Sequence, residues 1–350
     1  MPEPRKSQKK LTIACKILLC ASILYNASGA GLPLAGGFGG LSTAEAAGGP
    51  AALAALGAPA DTPAPEALRR FAAEAIGQLA QAKPFTAWAG AATAIEPLGP
   101  GTHSWLVTVA AAAGSGQGGE TGVPPGASAP RGYLIISATE SGDYKLVEYG
   151  MGTYSVFDPA LLEAALRQSG LGAAAAGRVT AVPLYAGPAL AAWKIRLPDG
   201  GEPRYVNAAD GEWLPETTGS WDKQAGGYAP PRLASSSRAP LSPAPIVYTS
   251  SRFDPYDNLL WMTAKPLALK SDAFIGKLKA SRQLVYAASG AERTYSFPLP
   301  VYGYQTWTNG DPSATPIAGS EAVYVVTGTD TAIRLIALDA LMASGKFVTF

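Results

Sequence analysis

The residue types that carry most protein chemistry are scarce in this chain. Its 350 residues include one histidine, His103, and two cysteines, Cys15 and Cys20. A single imidazole cannot build a multi-histidine metal site. The neighbouring Ser104 does not make a triad with it, and no G-x-S-x-G elbow occurs. Gly114 to Gly119, "GSGQGG", fits the dinucleotide pattern G-x-G-x-x-G. That chemistry needs a helix opening on the spot, so that its N-terminus meets a pyrophosphate. The chain continues "ETGVPPGASAP" instead, which reads as a loop.

Oxygen chemistry remains. "RFDPYDNLLW" holds Asp254, Asp257 and Asn258, close enough to suggest a weak calcium site. The alternating ligand spacing and the later Glu are missing, and D-P and D-N are ordinary turn formers, so a turn is the expectation. Glu140, Asp143 and Glu148 are carboxylates, but acid–base work needs a paired arrangement in a cleft, so a solvated turn explains them. Tyr302, Tyr304, Trp307 and Tyr324 could offer an aromatic face to a glycan or peptide. Their place in alternating strands assigns them to a core. The sequence thus predicts no catalytic residues, no cofactor and no metal beyond that calcium candidate.

These residues sit in a chain able to fold. It is 47% apolar, with net charge +1 and no basic stripe interleaved with aromatics, so nucleic acid is not an expected partner. Arg5, Lys6, Lys9 and Lys10 form a basic start. The apolar run after it is broken by Lys16, leaving too few residues for the about 20 that span a bilayer. This predicts a signal peptide over 1–46 cleaved after Ala46, with Ala44 at the other small position. Ser28 and Ala30 offer an earlier site. An uncleaved membrane anchor is the alternative, and would be the protein's only membrane contact. Either way the bulk is expected outside the cytoplasm, secreted or at the outer face of the membrane or wall. Cleavage would remove five Lys/Arg and two Asp/Glu, giving 22 − 24 = −2, and both cysteines would leave with the peptide.

The expected organisation is a flexible leader over 47–64, an α+β domain over 65–216, a Pro/Ser/Gly-rich linker over 217–245 and a mainly-β region over 246–350. The first helix follows Pro65, with Leu68, Phe71, Ala72, Ile76 and Leu79 on one face. The second has Asp158 as its cap, Pro159 at its first position and Gly170 beyond its end. Each helix precedes three strands, which predicts two helix-plus-three-strand units in antiparallel sheet. Trp105 would match Trp193, and Tyr133 would match Tyr205, all packed against the unit's own helix. The hairpin "RGYLIISATESGDYKLVEYG", Arg131 to Gly150, is apolar on both faces of its first strand and so is expected at the sheet centre, covered on both sides. Simple alternation in its second strand puts Tyr144, Leu146 and Glu148 on one face and Lys145, Val147 and Tyr149 on the other. A closing helix should stop at Gly345.

"GYLIISATESGDYKLVEYGMG", followed by "PLYAGPALAAWKI" and "YVNAADGEWLPE", resembles the non-catalytic N-terminal region of secreted Gram-positive proteins that precedes papain-like cysteine peptidase domains. It also resembles streptopain-type propeptides and PepSY domains. The resemblance covers Phe85 to Glu216 and implies a binding, inhibitory or chaperone-like role. A papain-like domain needs a Cys nucleophile and a His base, and residues 246–350 contain neither. The expectation is a non-enzymatic envelope protein that binds another protein or peptide, such as a secreted peptidase. A carboxylate-type cell-wall glycosidase and a purely structural surface protein are the alternatives.

Overall fold

The computed structural model describes residues 64–99, 103–110, 131–171, 179–197, 199–228, 241–288, 295–308 and 322–350. The chain divides into two units, residues 1–51 and 52–350, and every described residue lies in the second. The signal segment with Ala46, Cys15 and Cys20, and the "GSGQGG" loop, fall outside the described residues.

Helix α1 (Glu66–Leu79) buries Leu68, Ala72, Ala75, Ile76 and Leu79, the spacing of one helical face. A four-strand meander follows: β1 (Thr93–Leu98), β2 (Ser104–Val109), β3 (Arg131–Ala138) and β4 (Tyr144–Gly152). Helix α2 (Pro159–Gln168) starts where expected: the Asp158 side chain accepts from Ala160 N–H, and Gly170 takes the left-handed conformation past its end. A second meander comes next: β5 (Thr180–Tyr185), β6 (Ala191–Arg196), β7 (Arg204–Asn207) and β8 (Trp213–Leu214). The fold is α+β, built on antiparallel sheets.

The expected linker does not behave as one at its start. Thr217 and Ser220 form a reciprocal capping box, and helix α3 (Thr218–Gly226) follows, anchored by buried Trp221 stacked on Tyr205. Then come β9 (Ser242–Pro243), β10 (Val247–Tyr248), helix α4 (Phe274–Ser281), β11 (Leu284–Ala288), β12 (Pro298–Val301), β13 (Gly303–Thr308), β14 (Ala322–Gly328), β15 (Ala332–Ala337), helix α5 (Leu338–Ser344) and β16 (Gly345–Thr349). The expected boundary between 65–216 and 246–350 is crossed by one large sheet. Its order is β1-β2-β3-β4-β15-β14-β13-β10, with β9 beside β13. β4 pairs with β15 through Glu148↔Ile336 to Gly152↔Ala332. Strands β12-β11-β16 form a separate three-stranded sheet.

The hairpin β3–β4 is interior, as its composition demands: Leu134, Ile135 and Ile136 are fully buried. One face packs Ile136, Leu146 and Tyr149 under α1, together with Trp307, Tyr324 and Leu335. The other packs Tyr133, Ile135 and Val147 against α2 and the β5–β8 sheet. Further along, Tyr304, Val325 and Ile336 meet α4, α5 and the three-stranded sheet.

Two local expectations change. The β3–β4 register shifts at Ile135/Ile136, so Val147 is an extra residue in a bulge. Leu146 and Tyr149 therefore share a face, and Glu148 turns to the opposite one. Trp105 and Trp193 lie on second strands and belong to the clusters of their own helices, but Tyr133 and Tyr205 lie in the clusters behind the sheets. The closing helix ends at Ser344 with Gly345 as its C-cap, as expected, and Gly345, in extended backbone, opens β16. A side chain there would land inside the Tyr286 ring, which is why the position is glycine.

Candidate functional site

β1 is the last strand of the large sheet, and among the described residues no strand pairs with its outer edge. Ala110 N–H donates to Ala92 O at 2.9 Å, which sets the alternation of the β1–β2 ladder. Residues 94, 96 and 98 then hydrogen-bond to β2, while Thr93, Ile95 and Pro97 turn their backbone groups outward. Pro97 has no N–H to offer, which limits uncontrolled edge pairing. Thr93 and Ile95 keep theirs, and both border a groove of about 550 Å³ between β1 and α1. Its helix wall is Ala73, Ile76 and Gly77, and its end wall is Trp88. Small residues on the helix leave the space open. Trp88 is itself fixed by packing on Phe85 at 4.6 Å and over Gly132, where a side chain would collide with the indole. An open strand edge beside a groove walled by small helix residues suits an extended peptide.

Behind the sheet lies a buried polar centre. The bulge at Val147 aims Glu148 inward, where it is fully buried. Its carboxylate accepts from Arg334 Nε at 2.8 Å and from the Tyr133 hydroxyl at 2.5 Å. Arg334 also reaches Pro188 O at 3.5 Å. Burial, and then the adjacent Glu148 carboxylate, hold the Tyr133 phenol well above its ordinary value. Burial works against the Arg334 charge, but Glu148 and Tyr133 together outweigh it and raise the guanidinium above its usual range. The Tyr185 phenol is raised chiefly by burial, and its hydroxyl has no hydrogen-bond partner among the described residues. With its charge neutralised and its surface enclosed, Glu148 is placed to fix β4 against β15 rather than to exchange protons with a substrate. The opposite face carries a second network: Tyr149 donates to Gln305, Trp307 Nε1 donates to Tyr149 Oη at 2.9 Å, and Tyr324 donates to Leu146 O at 2.8 Å.

The residues singled out in the sequence are dispersed. Asp254 Oδ1 accepts from Tyr256 N–H at 2.9 Å and Asn258 Oδ1 from Leu260 N–H at 3.1 Å, so both are caps of short 3₁₀ turns (Pro255–Asp257 and Leu259–Met262). Asp257 is exposed beside them. Among the described residues no group of three His, Cys, Asp or Glu side chains is arranged to hold a metal. Tyr302, Tyr304, Trp307 and Tyr324 are buried core. His103 is exposed with positive φ at the entry to β2, and its carbonyl accepts from Ala138 N–H. Glu140 and Asp143 are at the exposed hairpin turn, away from the interior position of Glu148. Lys145 is largely covered and ion-paired with Asp339 of α5.

Sequence reasoning missed Arg334 and the β1 edge. The signal for Arg334 was present: "AIRLIA" and "LVEYG" each place one charge, of opposite sign, inside an apolar strand. β1, "TAIEPL", lacks that clarity because an edge strand is exposed on most of its surface.

The architecture defines an antiparallel α+β protein whose two four-strand meanders each follow a helix. In comparisons with family models, curated proteins and solved structures, the chain matches none. Among the described residues no helix is long and apolar enough to cross a membrane.

Proposed function

We propose that this is an exported cell-envelope protein that binds an extended segment of another protein or a peptide, without catalysis, in the groove between α1 and β1. The observation that carries the reading is the open edge of β1 at Thr93 and Ile95, the two β1 residues that line that groove. Main-chain pairing would supply affinity there and the groove would select small apolar side chains. Export rests on the basic start and broken apolar run of residues 1–46. The likeness of Phe85–Glu216 to propeptide and PepSY regions agrees with a binding role. Trp105 and Trp193 occupy second strands that face their own helices, which supports reading the two meanders as related binding-type units.

The test is to pan a library of extended peptides against the protein and follow amide hydrogen exchange with an enriched peptide bound. Exchange should slow at Thr93 and Ile95. Ile95→Pro removes one outward N–H and none directed at β2. It should weaken binding about fivefold, the worth of one backbone hydrogen bond of about 1 kcal/mol. Protection elsewhere, or unchanged affinity in Ile95→Pro with an unchanged melting temperature, refutes the assignment.

A further inference from the structure

Among the described residues, the large apolar side chains left exposed are Tyr154 and six others that all fall between positions 247 and 262. Those six are Val247, Tyr248, Tyr256, Leu259, Leu260 and Met262, with Leu260 at 72% exposure. Patches of this kind mark contact surfaces in soluble proteins. Their exposure is imposed by the backbone. Asp254 and Asn258 cap the two 3₁₀ turns. Trp261 is buried against Val285, Ala287 and Val348, and its Nε1 donates to Pro255 O at 2.8 Å. With Pro255 and Trp261 pinned inward, Tyr256, Leu259, Leu260 and Met262 are held outward as a rigid knuckle.

The knuckle stands out into solvent, with Leu259, Leu260 and Met262 each more than half exposed, and none of its side chains lines the groove beside α1 or the cleft between the β5–β8 sheet and α3. A protruding Leu-Leu pair fits a medium that deforms around it. Residues 246–282 also concentrate positive charge. Arg252, Lys265, Lys270, Lys277, Lys279 and Arg282 stand against Asp254, Asp257 and Asp272, a net of +3 in a chain whose total is +1. Lys265 and Lys270 are exposed beside the knuckle in sequence and have no ion pair among the described residues. Asp210 and Glu212 lie near the Tyr256 hydroxyl and Asp330 faces Arg252 at 4.0 Å, so the wider neighbourhood balances at six cations and six carboxylates, and the positive charge offered outward is that of Lys265 and Lys270.

We propose that this knuckle inserts into the interfacial layer of an anionic lipid bilayer, a peripheral contact separate from the N-terminal segment and from the peptide groove. Leu259, Leu260 and Met262 would enter the acyl boundary, Tyr248 and Tyr256 would sit at headgroup level, and Lys265 and Lys270 would meet lipid phosphates.

The full chain with Cys15→Ser, Cys20→Ser and Leu260→Cys would carry an environment-sensitive fluorophore at position 260. A control would carry it at Tyr154→Cys, an exposed apolar site elsewhere. Vesicles with about 30% phosphatidylglycerol should raise and blue-shift emission at 260 at least about twofold more than at 154, and more than vesicles of phosphatidylcholine alone. A lipid-borne quencher should act on 260 selectively, and Lys265→Gln with Lys270→Gln should reduce the response. Equal responses at 260 and 154 overturn the proposal even if the N-terminal segment tethers the protein to vesicles. A blue shift at 260 that grows with protein concentration without vesicles also overturns it, and assigns the knuckle to contact between copies of the chain.

Discussion

Removing Arg334 should destabilise the protein more than removing any exposed charge. Glu148 is wholly buried and the Arg334 side chain is 9% exposed, with 2.8 Å between them. With charge centres roughly 4 Å apart and an effective dielectric of about 20, the attraction is about 4 kcal/mol. Arg334→Met leaves the carboxylate with the Tyr133 hydroxyl alone, and a loss of about 3–5 kcal/mol is expected. Glu148→Leu strands the guanidinium, with a loss of similar size. The double variant buries no unpaired charge, so its loss should be about 2 kcal/mol or less, far below the sum of the singles. Urea denaturation of the three variants, followed by tryptophan fluorescence, measures all of these. A double variant whose loss equals the sum of the singles would show that the two side chains do not act as a pair. A loss below about 1 kcal/mol in Arg334→Met would refute the claim that the site is sealed from water.

Other outcomes follow from the same packing. Ile135→Ala and Ile136→Ala should each lower unfolding free energy by about 2–5 kcal/mol, read from denaturation midpoints, since both side chains are fully buried on opposite faces. Gly132→Ala should cost about 1–3 kcal/mol by driving a methyl into Trp88, and near-ultraviolet circular dichroism should register the displaced indole. Asp158→Ala should cost about 1 kcal/mol through loss of the α2 cap, while Asp158→Asn should retain most of it. Burial pushes the Asp210 carboxyl up to about 6, above its ordinary 3.8. Between those values the folded state holds a proton that the unfolded chain has released. Stability therefore falls as pH rises through that window, and Asp210→Asn should flatten the trend in melting temperature against pH. The slope should be shallow, because the residue as a whole remains exposed.

What could be read in the sequence was what neighbours decide among themselves. Asp158, Pro159 and Gly170 delimit α2 by purely local chemistry, and the doubly apolar run Tyr133–Ile136 announces a strand covered on both faces. Glu148 was assigned to the wrong face because a bulge breaks simple alternation, and nothing local marks Val147 as its extra residue. The capping box of Thr217 and Ser220 was hidden within a stretch whose Gly and Ser content reads as linker. Asp254 and Asn258 look like ligands or caps from sequence alone, and only the direction of their side chains distinguishes the two. The groove lay beyond reach because it needs α1 and β1 in three dimensions. Arg334 needed a partner far away along the chain.

That distance has a bearing on how the protein is made. The strands β4 and β15 that meet at Glu148↔Ile336 and Gly152↔Ala332 are 188 and 180 residues apart in the sequence. A chain emerging N-terminus first can close the β1–β4 meander early, but β4 then waits as an open edge, carrying an unpaired carboxylate, until almost the last strand arrives. Such long-range pairing is slow and leaves edges exposed to aggregation. A chain that crosses a membrane unfolded would meet this interval on the far side, where completing the sheet depends on delivery of its C-terminus. A stop anywhere between α3 and β15 would leave the first meander without its seam, so the N-terminal half should not survive as an independent fragment.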